Sequence, residues 1–419
     1  MKRLFALAFA AALLIGCARE KQLTFHVGGT PDELAYWEGV TEQFKEQTGI
    51  DVQLLRSTTQ TEQRKQSILM ALRGRKADPD IMLMDVAWIG QMAASGWLQP
   101  LTPYGIEKEP FFDRIVKLAD THNGDLVGVP LYVDGGMLYY RTDLLTKYGY
   151  DGPPRTWDEL VEMAQTVQEG ERAENPDFWG YVWQGAQYEG LVCNLLEVFS
   201  SAGGGFFNDK QQPILDTEPN ITGLQQMVGF IQDEKISPPN TFTDMKEEEV
   251  RQVFQNGDAL FERNWPYAWA LHKAEGSAVA GSFAIAPLPH FPGHESASTL
   301  GGWHVALSAF SDMKEEGAKF IAHITSYDVQ KQLAADLGWN PGRTDVYDDE
   351  ELVAEYPVLP ELRKVFEHAI PRPTVPYYSD ISLALQRSCN AALAGKMTAK
   401  QALDKAQGEV VHIVERYAQ

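Results

Sequence analysis

Alternating apolar and polar segments at the start of the chain predict a β-α-β unit. The run LTFHV at residues 23–27 is predicted to be a strand, and GGTPDELAYWEGVTEQFKEQTG follows as a glycine turn, a cap and an amphipathic helix. Apolar residues recur there at helical spacing, at Leu34, Trp37, Val40 and Phe44. Gly49 is predicted to end the helix before the strand IDVQLL. Two strands joined by a helix are typical of a parallel sheet.

The next segments continue this alternation and end a strand at an acidic residue. EQRKQSILMALRG has helical spacing, and IMLMDVAWIG begins with the continuous apolar run of a buried parallel strand. That strand is predicted to end near Asp85. In open α/β sheets, polar side chains at the carboxyl ends of strands face the crevice where ligands bind. Asp85 is therefore a candidate ligand residue, and simple termination of the strand is the alternative.

From about Asp151 the pattern changes to longer helices and proline-rich loops. TWDELVEMAQTVQ is predicted to be a helix with a capping box, formed by Thr156 and Glu159. SPPNTFTD and PLPHFPGHESAS are predicted loops, and TAKQALDKAQGEVVHIVERYA is predicted to be a final amphipathic helix. Because 419 residues are too many for one ordinary core, the pattern predicts two α/β lobes.

Composition narrows the classes of partner and reaction. The hydrophobic share of 44% is typical of a packed globular protein, and a net charge of −22 argues against nucleic acid as a partner. The chain has no Walker-type phosphate loop, no GxGxxG turn, no HExxH and no CxxC. His290 and His294 are separated by Pro292 and Gly293, which disfavours a helical metal pair. We therefore expect no catalytic residues, no metal and no cofactor, although a glycosidase with two carboxylates stays open.

The first residues have the features of an export signal. MKR is a short positive segment, and the apolar stretch after it is too short for a lasting membrane span. LIGC at residues 14–17 resembles a bacterial lipobox, which predicts a signal peptide at 1–16 and a lipidated Cys17 that begins a short tether at 17–22. Loss of Lys2 and Arg3 would change the net charge from −22 to −24. The alternative is an ordinary secretory signal followed by an unrelated cysteine.

Two further cysteines, Cys193 and Cys389, would remain in the exported chain. One possible pair is not a disulfide framework, and a bond between the two stays open. Cys193 lies in the apolar run LVCNLLEVF, which favours a buried thiol.

Aromatic residues crowd around prolines, glycines and charged residues in three later stretches. These are FERNWPYAWALH at 261–272, LGGWHVALS at 300–308 and PRPTVPYYSD at 371–380. One interpretation is core packing, since Trp265 and Trp269 at i, i+4 could share a helical face. The other is a ligand site built from flat apolar rings and adjacent charged groups.

Segments along nearly the whole chain carry a resemblance to one family. They include GTPDELAYWEGV, TEQRKQSILMALRG, DPDIMLMDVAWIGQMAASGWLQPL, LYYRTDLLTKYGY, NPDFWGYVWQGAQYEGLVC, FERNWPYAWALH, TLGGWHVALS and IPRPTVPYY. The chain resembles the extracellular solute-binding proteins of carbohydrate ABC transporters, and among these the trehalose/maltose-binding proteins. The resemblance implies an α/β, two-lobe periplasmic-binding-protein-like fold with discontinuous lobes, hinge strands and an interlobe ligand cleft. It implies a first lobe of 23–131 plus 304–347 and a second of 132–303 plus 348–419.

The family's ligand contacts carry over only where this sequence matches its motifs. On the first lobe and the first crossing they fall on Glu33, Arg64, Asp85, Tyr132 and Asp134. From the second lobe and the later hinge come Trp265, Tyr267, Gly302, Trp303, Arg372 and Tyr378. Asp32 is an alternative to Glu33, and a surface salt bridge is the alternative role for Arg372.

The residue types in this set suit a sugar. The Trp and Tyr rings can stack on the C–H faces of a pyranose, the carboxylates can accept from its hydroxyls, and the arginines offer planar sets of donors. We expect Gly301 and Gly302 to let the backbone approach a ligand closely. Carboxylates paired with Arg64 or Arg372 are expected to stay ionised, which disfavours a general acid. Tyr139 and Tyr140 are expected to pack, whereas Tyr188 or Trp183 could line the cleft.

The function implied by the resemblance is that of a non-enzymatic substrate-binding lipoprotein of an ABC sugar importer. It would bind an α-linked glucose disaccharide, trehalose or maltose with sucrose as a variant, and deliver it to the permease subunits by hinge closure. Alternatives are a receptor for a glucosylated compatible solute such as glucosylglycerol, and a secreted glycosidase. The protein would be a monomer that does not bind nucleic acid, outside the cytoplasm and lipid-anchored at the periplasmic face or outer surface of the cell membrane. The choice of disaccharide depends on sub-ångström placement of the same residue types, so the sequence leaves it open.

Overall fold

The computed structural model describes residues 22–417 except residues 209, 211 and 368. The predicted signal peptide at 1–16 and Cys17 lie outside the described residues. The strands are β1 (Leu23–Gly28), β2 (Val52–Ser57), β3 (Ile81–Asp85), β4 (Thr121–His122), β5 (Asp125–Leu126), β6 (Val129–Gly135), β7 (Met137–Arg141), β8 (Trp179–Val182), β9 (Ala259–Asn264), β10 (Phe283–Ala286) and β11 (Leu300–Leu307).

Helices of very different length lie along the whole described chain. They are α1 (Pro31–Thr48), α2 (Thr61–Arg73), α3 (Val86–Ala94), α4 (Asp113–Ile115), α5 (Thr142–Lys147), α6 (Trp157–Glu171), α7 (Glu189–Ser200), α8 (Glu218–Gln232), α9 (Glu247–Gln255), α10 (Ala268–Lys273), α11 (Lys314–Ile324), α12 (Tyr327–Leu337), α13 (Glu350–Glu355), α14 (Leu359–Glu367), α15 (Tyr378–Leu393) and α16 (Ala399–Tyr417). Short 3-10 turns lie at Thr102–Tyr104 and Asp345–Asp348, and a π turn lies at Val116–Asp120.

The first lobe is built on a five-stranded sheet of order β2-β1-β3-β11-β6. β1 pairs in parallel with β2 and β3, so the predicted β-α-β unit is confirmed. β11 returns from late in the chain and pairs antiparallel with β3 and β6. The core on one face contains Phe25, Trp37 and Phe320, whose rings meet edge to face.

The second lobe is built on a four-stranded sheet of order β10-β7-β9-β8. β7 is antiparallel to β9 and β10, and β8 is parallel to β9. Helices α7, α8, α15 and α16 pack together beside this sheet. Trp157, Tyr181 and Phe230 lie in the buried cluster between the helices and the sheet. The structure therefore has the predicted two-lobe α/β architecture.

Two segments that connect strands of the two sheets cross close to one another, and the chain passes to the second lobe again before α15. β6 belongs to the first sheet and β7 to the second, with only Gly136 between them. The chain returns through residues 287–299 to β11, and Ser298 Oγ donates a hydrogen bond to the Gly136 carbonyl at 2.8 Å. Residues 132–135 and 300–303 pair within the first sheet, whereas the expected lobe boundaries placed them in the second lobe. β6 and β11 stay paired up to the crossing, so the first sheet includes more residues than the expected boundaries gave to the first lobe.

Local signals set the ends of the helices as predicted. Thr30 and Glu33 form a capping box at the start of α1, and Gly49 ends that helix in the left-handed conformation at φ 74°. Thr156 and Glu159 form the predicted capping box of α6. No helix within 22–417, outside the three gaps, combines the length and apolar character needed to cross a membrane.

Two alternatives left open by the sequence are resolved. The interpretation in which Trp265 and Trp269 share a helical face is wrong, because α10 begins only at Ala268 and Trp265 lies in the preceding turn. Trp269 packs edge to face on Phe283, with ring centroids 4.8 Å apart. Cys193 and Cys389 are both buried free thiols, as the apolar surroundings of Cys193 favoured.

Candidate functional site

Three neighbouring strands bring predicted residues together at one end of the first sheet. In the register of β11 with its neighbours, Trp303 lies opposite Asp85 of β3 and opposite Tyr132 of β6. Two positions before Trp303, Gly301 lies opposite Asp134. Asp85 is the last residue of β3, which is the expected position for a polar side chain that faces a crevice. Strand register therefore brings together residues that are far apart in the sequence.

The paired glycines of β11 lie in close contact with other parts of the protein. Gly302 has φ +113°, and a Cβ there would overlap the carbonyl oxygen of Tyr132. A Cβ on Gly301 would lie 2.9 Å from Cζ3 of the Trp265 ring. These glycines thus allow close approach of a neighbouring strand and of an indole from the second sheet.

Arg64 is the buried cation of this sheet end. Its side chain extends from α2, is 5% exposed and places its guanidinium carbon 3.6 Å from the centroid of the Trp303 ring. Its Nε and Nη2 have no hydrogen-bond partner among the described residues. Burial lowers the pKa of Arg64, although the charges of Glu33 and Asp85 oppose that effect. Buried donors without partners are costly, so these two nitrogens are suited to ligand acceptors.

Glu33 fits the site better than the alternative Asp32. Asp32 is exposed, whereas Glu33 is half-buried and close enough to Arg64 for their charges to interact. Glu33 Oε2 accepts a hydrogen bond from the backbone of Thr30 at 2.7 Å, so the residue also caps α1. Burial raises the pKa of Glu33 despite the nearby Arg64.

Asp134 is a carboxylate whose ionisation is strongly disfavoured. Asn340 Nδ2 donates to Asp134 Oδ1 at 3.5 Å, a long contact. Burial raises the pKa of Asp134 from 3.8 to about 7, and the nearby charge of Asp85 acts in the same direction. Carboxylates paired with Arg64 or Arg372 were expected to stay ionised. Asp134 is a different case, because its hydrogen bond comes from Asn340.

The second sheet contributes Trp265 and Tyr267 from the turn between β9 and α10. The Trp265 ring lies over the Arg263 guanidinium, 4.0 Å from centroid to carbon, and remains partly exposed. Tyr139, which is fully buried as expected, donates from its hydroxyl to the Trp265 carbonyl at 2.9 Å. Tyr267 donates to Glu248 Oε1 at 2.6 Å. The Trp265 ring is thereby held against β11 of the first sheet.

Arg372 and Tyr378 are buried and belong to a network of internal hydrogen bonds. Arg372 is 4% exposed and donates to Glu189 Oε1 at 2.9 Å and to Asp85 Oδ1 at 3.0 Å. Tyr378 is 2% exposed, and its hydroxyl bonds to the same Glu189 oxygen. The surface salt bridge considered for Arg372 is therefore wrong, because its ion pairs are internal. Arg372 holds both Asp85 and Glu189, whereas Tyr378 bonds to Glu189 alone and its ring is covered by protein.

Sequence reasoning missed several residues of the site. Glu189 accepts from Arg372, Tyr378 and Ser382, and it begins α7 in the second lobe. Trp339 lies on Tyr132 with ring centroids 4.3 Å apart, although its motif GWNPGR had no role assigned. The contact between Asn340 and Asp134 spans 206 positions, so no local pattern could reveal it. Of the two residues suggested for the cleft wall, Trp183 is a buried core residue and Tyr188 is half-buried.

The three residues on which the site hypothesis depended are connected in space. Trp303 pairs with Asp85, Asp85 bonds to Arg372, and Trp265 reaches Gly301. A separate hollow of about 810 Å³ lies in the second lobe around Pro154, His290 and His294, and none of the predicted site residues line it. Within the described part of the chain, no group of three or more His, Cys, Asp or Glu side chains could hold a metal ion.

Comparison with known proteins places this arrangement in context. The sequence profile of the bacterial extracellular solute-binding proteins matches residues 28–331. A probable ABC transporter-binding protein of Deinococcus radiodurans is 36% identical over 413 residues, which cover 98% of this chain and 97% of that protein. The structure of maltose-bound T. maritima MalE3 is 38% identical with a TM-score of 0.87, covering 94% of this chain and 99% of its own. A solute-binding protein of Thermotoga lettingae bound to α-D-tagatose is 26% identical with a TM-score of 0.83, covering 93% of this chain and 98% of its own.

Proposed function

Since the chain belongs to the family of bacterial extracellular solute-binding proteins, we propose that it is a lipid-anchored receptor that binds an α-linked glucose disaccharide. The broader function, solute binding for a sugar ABC transporter of the MalE type, follows from the family and the relatives. The proposal adds the ligand, which is trehalose or maltose with sucrose as a variant. It also adds the anchor, which is a lipid on Cys17.

One observation carries the choice of a sugar. Arg64 stacks on Trp303, and two of its buried nitrogens have no partner among the residues that the structure describes. Trp303 lies between Asp85 and Tyr132 across adjacent strands. Trp265 approaches the same sheet end from the second lobe. A pyranose needs flat apolar surfaces for its C–H faces and charged or polar groups for its hydroxyls. This set supplies both kinds of group, and the second lobe contributes one of the rings.

The magnitudes are consistent with reversible binding of a disaccharide. A micromolar complex needs about 8 kcal/mol, which over roughly two dozen heavy atoms is about 0.3 kcal/mol per atom. Hydrogen bonds to charged groups contribute about 1.5 to 3 kcal/mol each, so a few of them with two stacked rings are sufficient. The maltose bound to the 38% identical T. maritima MalE3 supports a glucose disaccharide as the ligand.

Binding of the sugar is coupled to transport through closure of the two lobes. Asp85 of the first lobe and Glu189 of the second are already joined through Arg372. A sugar held by Trp303 and Arg64 on one side and Trp265 on the other favours the closed arrangement, since only that arrangement makes both sets of contacts. The closed receptor then docks on the permease, and the lipid on Cys17 keeps it at the membrane.

Titration calorimetry across maltose, trehalose, sucrose and glucosylglycerol tests the ligand. We expect saturable micromolar binding of maltose or trehalose, and recovery of intact disaccharide after prolonged incubation. Binding of glucosylglycerol alone would replace the proposed ligand with a glucosylated solute. Release of glucose would contradict a receptor, and absence of binding to all four would refute the proposal.

A further inference from the structure

A buried ion pair in the second lobe lies against both segments that cross between the sheets. Glu197 of α7 and Arg263 of β9 are 2% and 0% exposed, and Arg263 Nε donates to Glu197 Oε2 at 2.9 Å. Arg263 Nη2 bonds to the other carboxylate oxygen, so the pair is bidentate. Arg263 Nη1 donates to Gln184 at 3.2 Å. These contacts fix the plane of the guanidinium.

The carboxylate of this pair contacts the backbone of both crossings. The Thr299 backbone, directly before β11, donates to Glu197 Oε1 at 3.1 Å. Gly136, the single residue between β6 and β7, packs so closely on the pair that a Cβ there would overlap Glu197 Oε1 and Arg263 Nη2. Ser298 joins the two crossings through its hydrogen bond to Gly136. The Glu197 carboxylate therefore contacts the backbone of both strand-connecting crossings.

The guanidinium of the pair contacts the candidate site. Its carbon lies 4.0 Å from the centroid of the Trp265 ring, and Trp265 in turn lies against Gly301 of β11. An arginine whose plane is fixed by a bidentate carboxylate provides a flat surface that orients a stacked indole. The same ion pair thus touches the crossings on one side and the proposed sugar platform on the other.

We propose that Glu197 and Arg263 are positioning residues that couple the angle between the lobes to the orientation of Trp265. A hinge changes the backbone angles of a few residues at the crossing, here around Gly136 and Thr299. Because both residues contact Glu197, the change is passed to Arg263 and then to the indole. The effect on sugar affinity rests on the proposed function, whereas the effect on the hinge does not.

The test measures the distance between spin labels on the two lobes together with sugar affinity. Labels are placed through Glu46→Cys on α1 and Glu169→Cys on α6, which are exposed positions, with Cys17→Ser to avoid a third label. The native Cys193 and Cys389 are buried. In the ligand-free protein Glu197→Gln is expected to broaden the interlobe distance distribution, and it is expected to weaken sugar binding about tenfold. Arg263→Lys keeps the charge but loses the flat surface, so it is expected to weaken binding with less broadening.

A matched control separates this role from general loss of stability. Asp80 is a fully buried carboxylate bonded to Thr24 at 2.7 Å and to Ser311 at 2.5 Å, and it precedes β3, whose opposite end carries the site. Asp80→Asn is expected to lower the melting temperature without changing the distance distribution or the affinity. If Glu197→Gln does not fold, Glu197→Asp, which withdraws the carboxylate from the crossings, is expected to give the same broadening.

Two outcomes would overturn the coupling. One is a folded Glu197→Gln protein with the distance distribution and affinity of the unmodified protein, and the other is an equal change in Asp80→Asn. If the unmodified protein binds no sugar of the panel, the proposed ligand fails, and the distance distribution alone decides whether the ion pair controls the hinge.

Discussion

Burial changes the chemistry of two side chains of the site, Arg64 and Asp134. Two nitrogens of Arg64, which lies against the Trp303 ring, have no hydrogen-bond partner in the part of the chain that the structure describes. Asp134 lies on β6 close to the crossing, where it accepts a long hydrogen bond from Asn340. A cation with unused donors and a carboxyl group that resists ionisation are both suited to pairing with sugar hydroxyls, which donate and accept.

Arg64→Ala is expected to weaken binding of the preferred sugar by about 1.5 to 3 kcal/mol, since a charged donor and its stacking on Trp303 are lost together. Titration calorimetry measures the change. Arg56→Ala is the matched control, because Arg56 is an exposed arginine of the same lobe that pairs with Glu38 at the surface. Equal affinities of the two variants would remove Arg64 from the site.

Asp134 predicts a pH dependence of stability with a definite sign. Its pKa is about 7 in the folded protein and 3.8 in the reference state, so between these values the unfolded chain releases a proton that the folded chain retains. The free energy of unfolding therefore falls as pH rises through this window and is level above it. Asp134→Asn removes this contribution. Urea unfolding at about pH 5 and about pH 8 measures the free energy of unfolding of both proteins. Relative to the unmodified protein, Asp134→Asn should be more stable at the higher pH than at the lower pH. The same difference between the two proteins at both pH values would contradict the raised pKa.

Individual elements follow local patterns where a cap and a periodic apolar face agree. α1 begins at its predicted cap and α6 at its predicted capping box, and β3 ends at Asp85 as predicted. The segment around Trp265 did not follow its helical spacing. Pro266 lies just before α10, and the backbone of Trp265 is held by Asn264 and Tyr139 instead of by a helix. A local period is therefore overridden where tertiary hydrogen bonds fix the chain.

Thr156→Ala is expected to lower the free energy of unfolding by about 1 kcal/mol, because the Glu159 amide loses its cap. Sugar affinity should not change, since α6 contacts none of the proposed ligand residues through the hydrogen bonds at its cap. Thr166→Ala is the control, as Thr166 is exposed within the same helix. Equal unfolding energies for the two variants would show that the capping box contributes nothing to stability.

At the scale of the whole molecule, the two lobes are joined by the segments that cross between the sheets and by a group of side-chain contacts. Asp85, Arg372 and Glu189 connect the end of β3 to the start of α7, and Lys65 and Gln91 of the first lobe both bond to Ser379 of α15. Motion of one lobe relative to the other therefore affects these contacts. A ligand that adds contacts across the same gap biases the equilibrium toward closure.

Small-angle scattering is expected to show a smaller radius of gyration when the protein is saturated with its sugar, because closure brings the two lobes together. Arg64→Ala should need a correspondingly higher sugar concentration to reach the same decrease in radius. An unchanged radius at a concentration where calorimetry shows full occupancy would exclude hinge closure as the transport signal.

The sequence by itself determined the elements and the composition of the site. Apolar periods and caps predicted the β-α-β start, α6 and the final helix, and matching motifs selected the candidate aromatics, carboxylates and arginines. Only the tertiary structure decided which of them meet. β11 inserts between β3 and β6, so strand register places Trp303 beside Asp85 and Tyr132, and residues such as Glu189 and Asn340 enter through contacts made across the fold. Local propensity acts over a few residues, whereas these pairings depend on how distant segments are packed, and that packing also fixes the burial that shifts the pKa of Asp134.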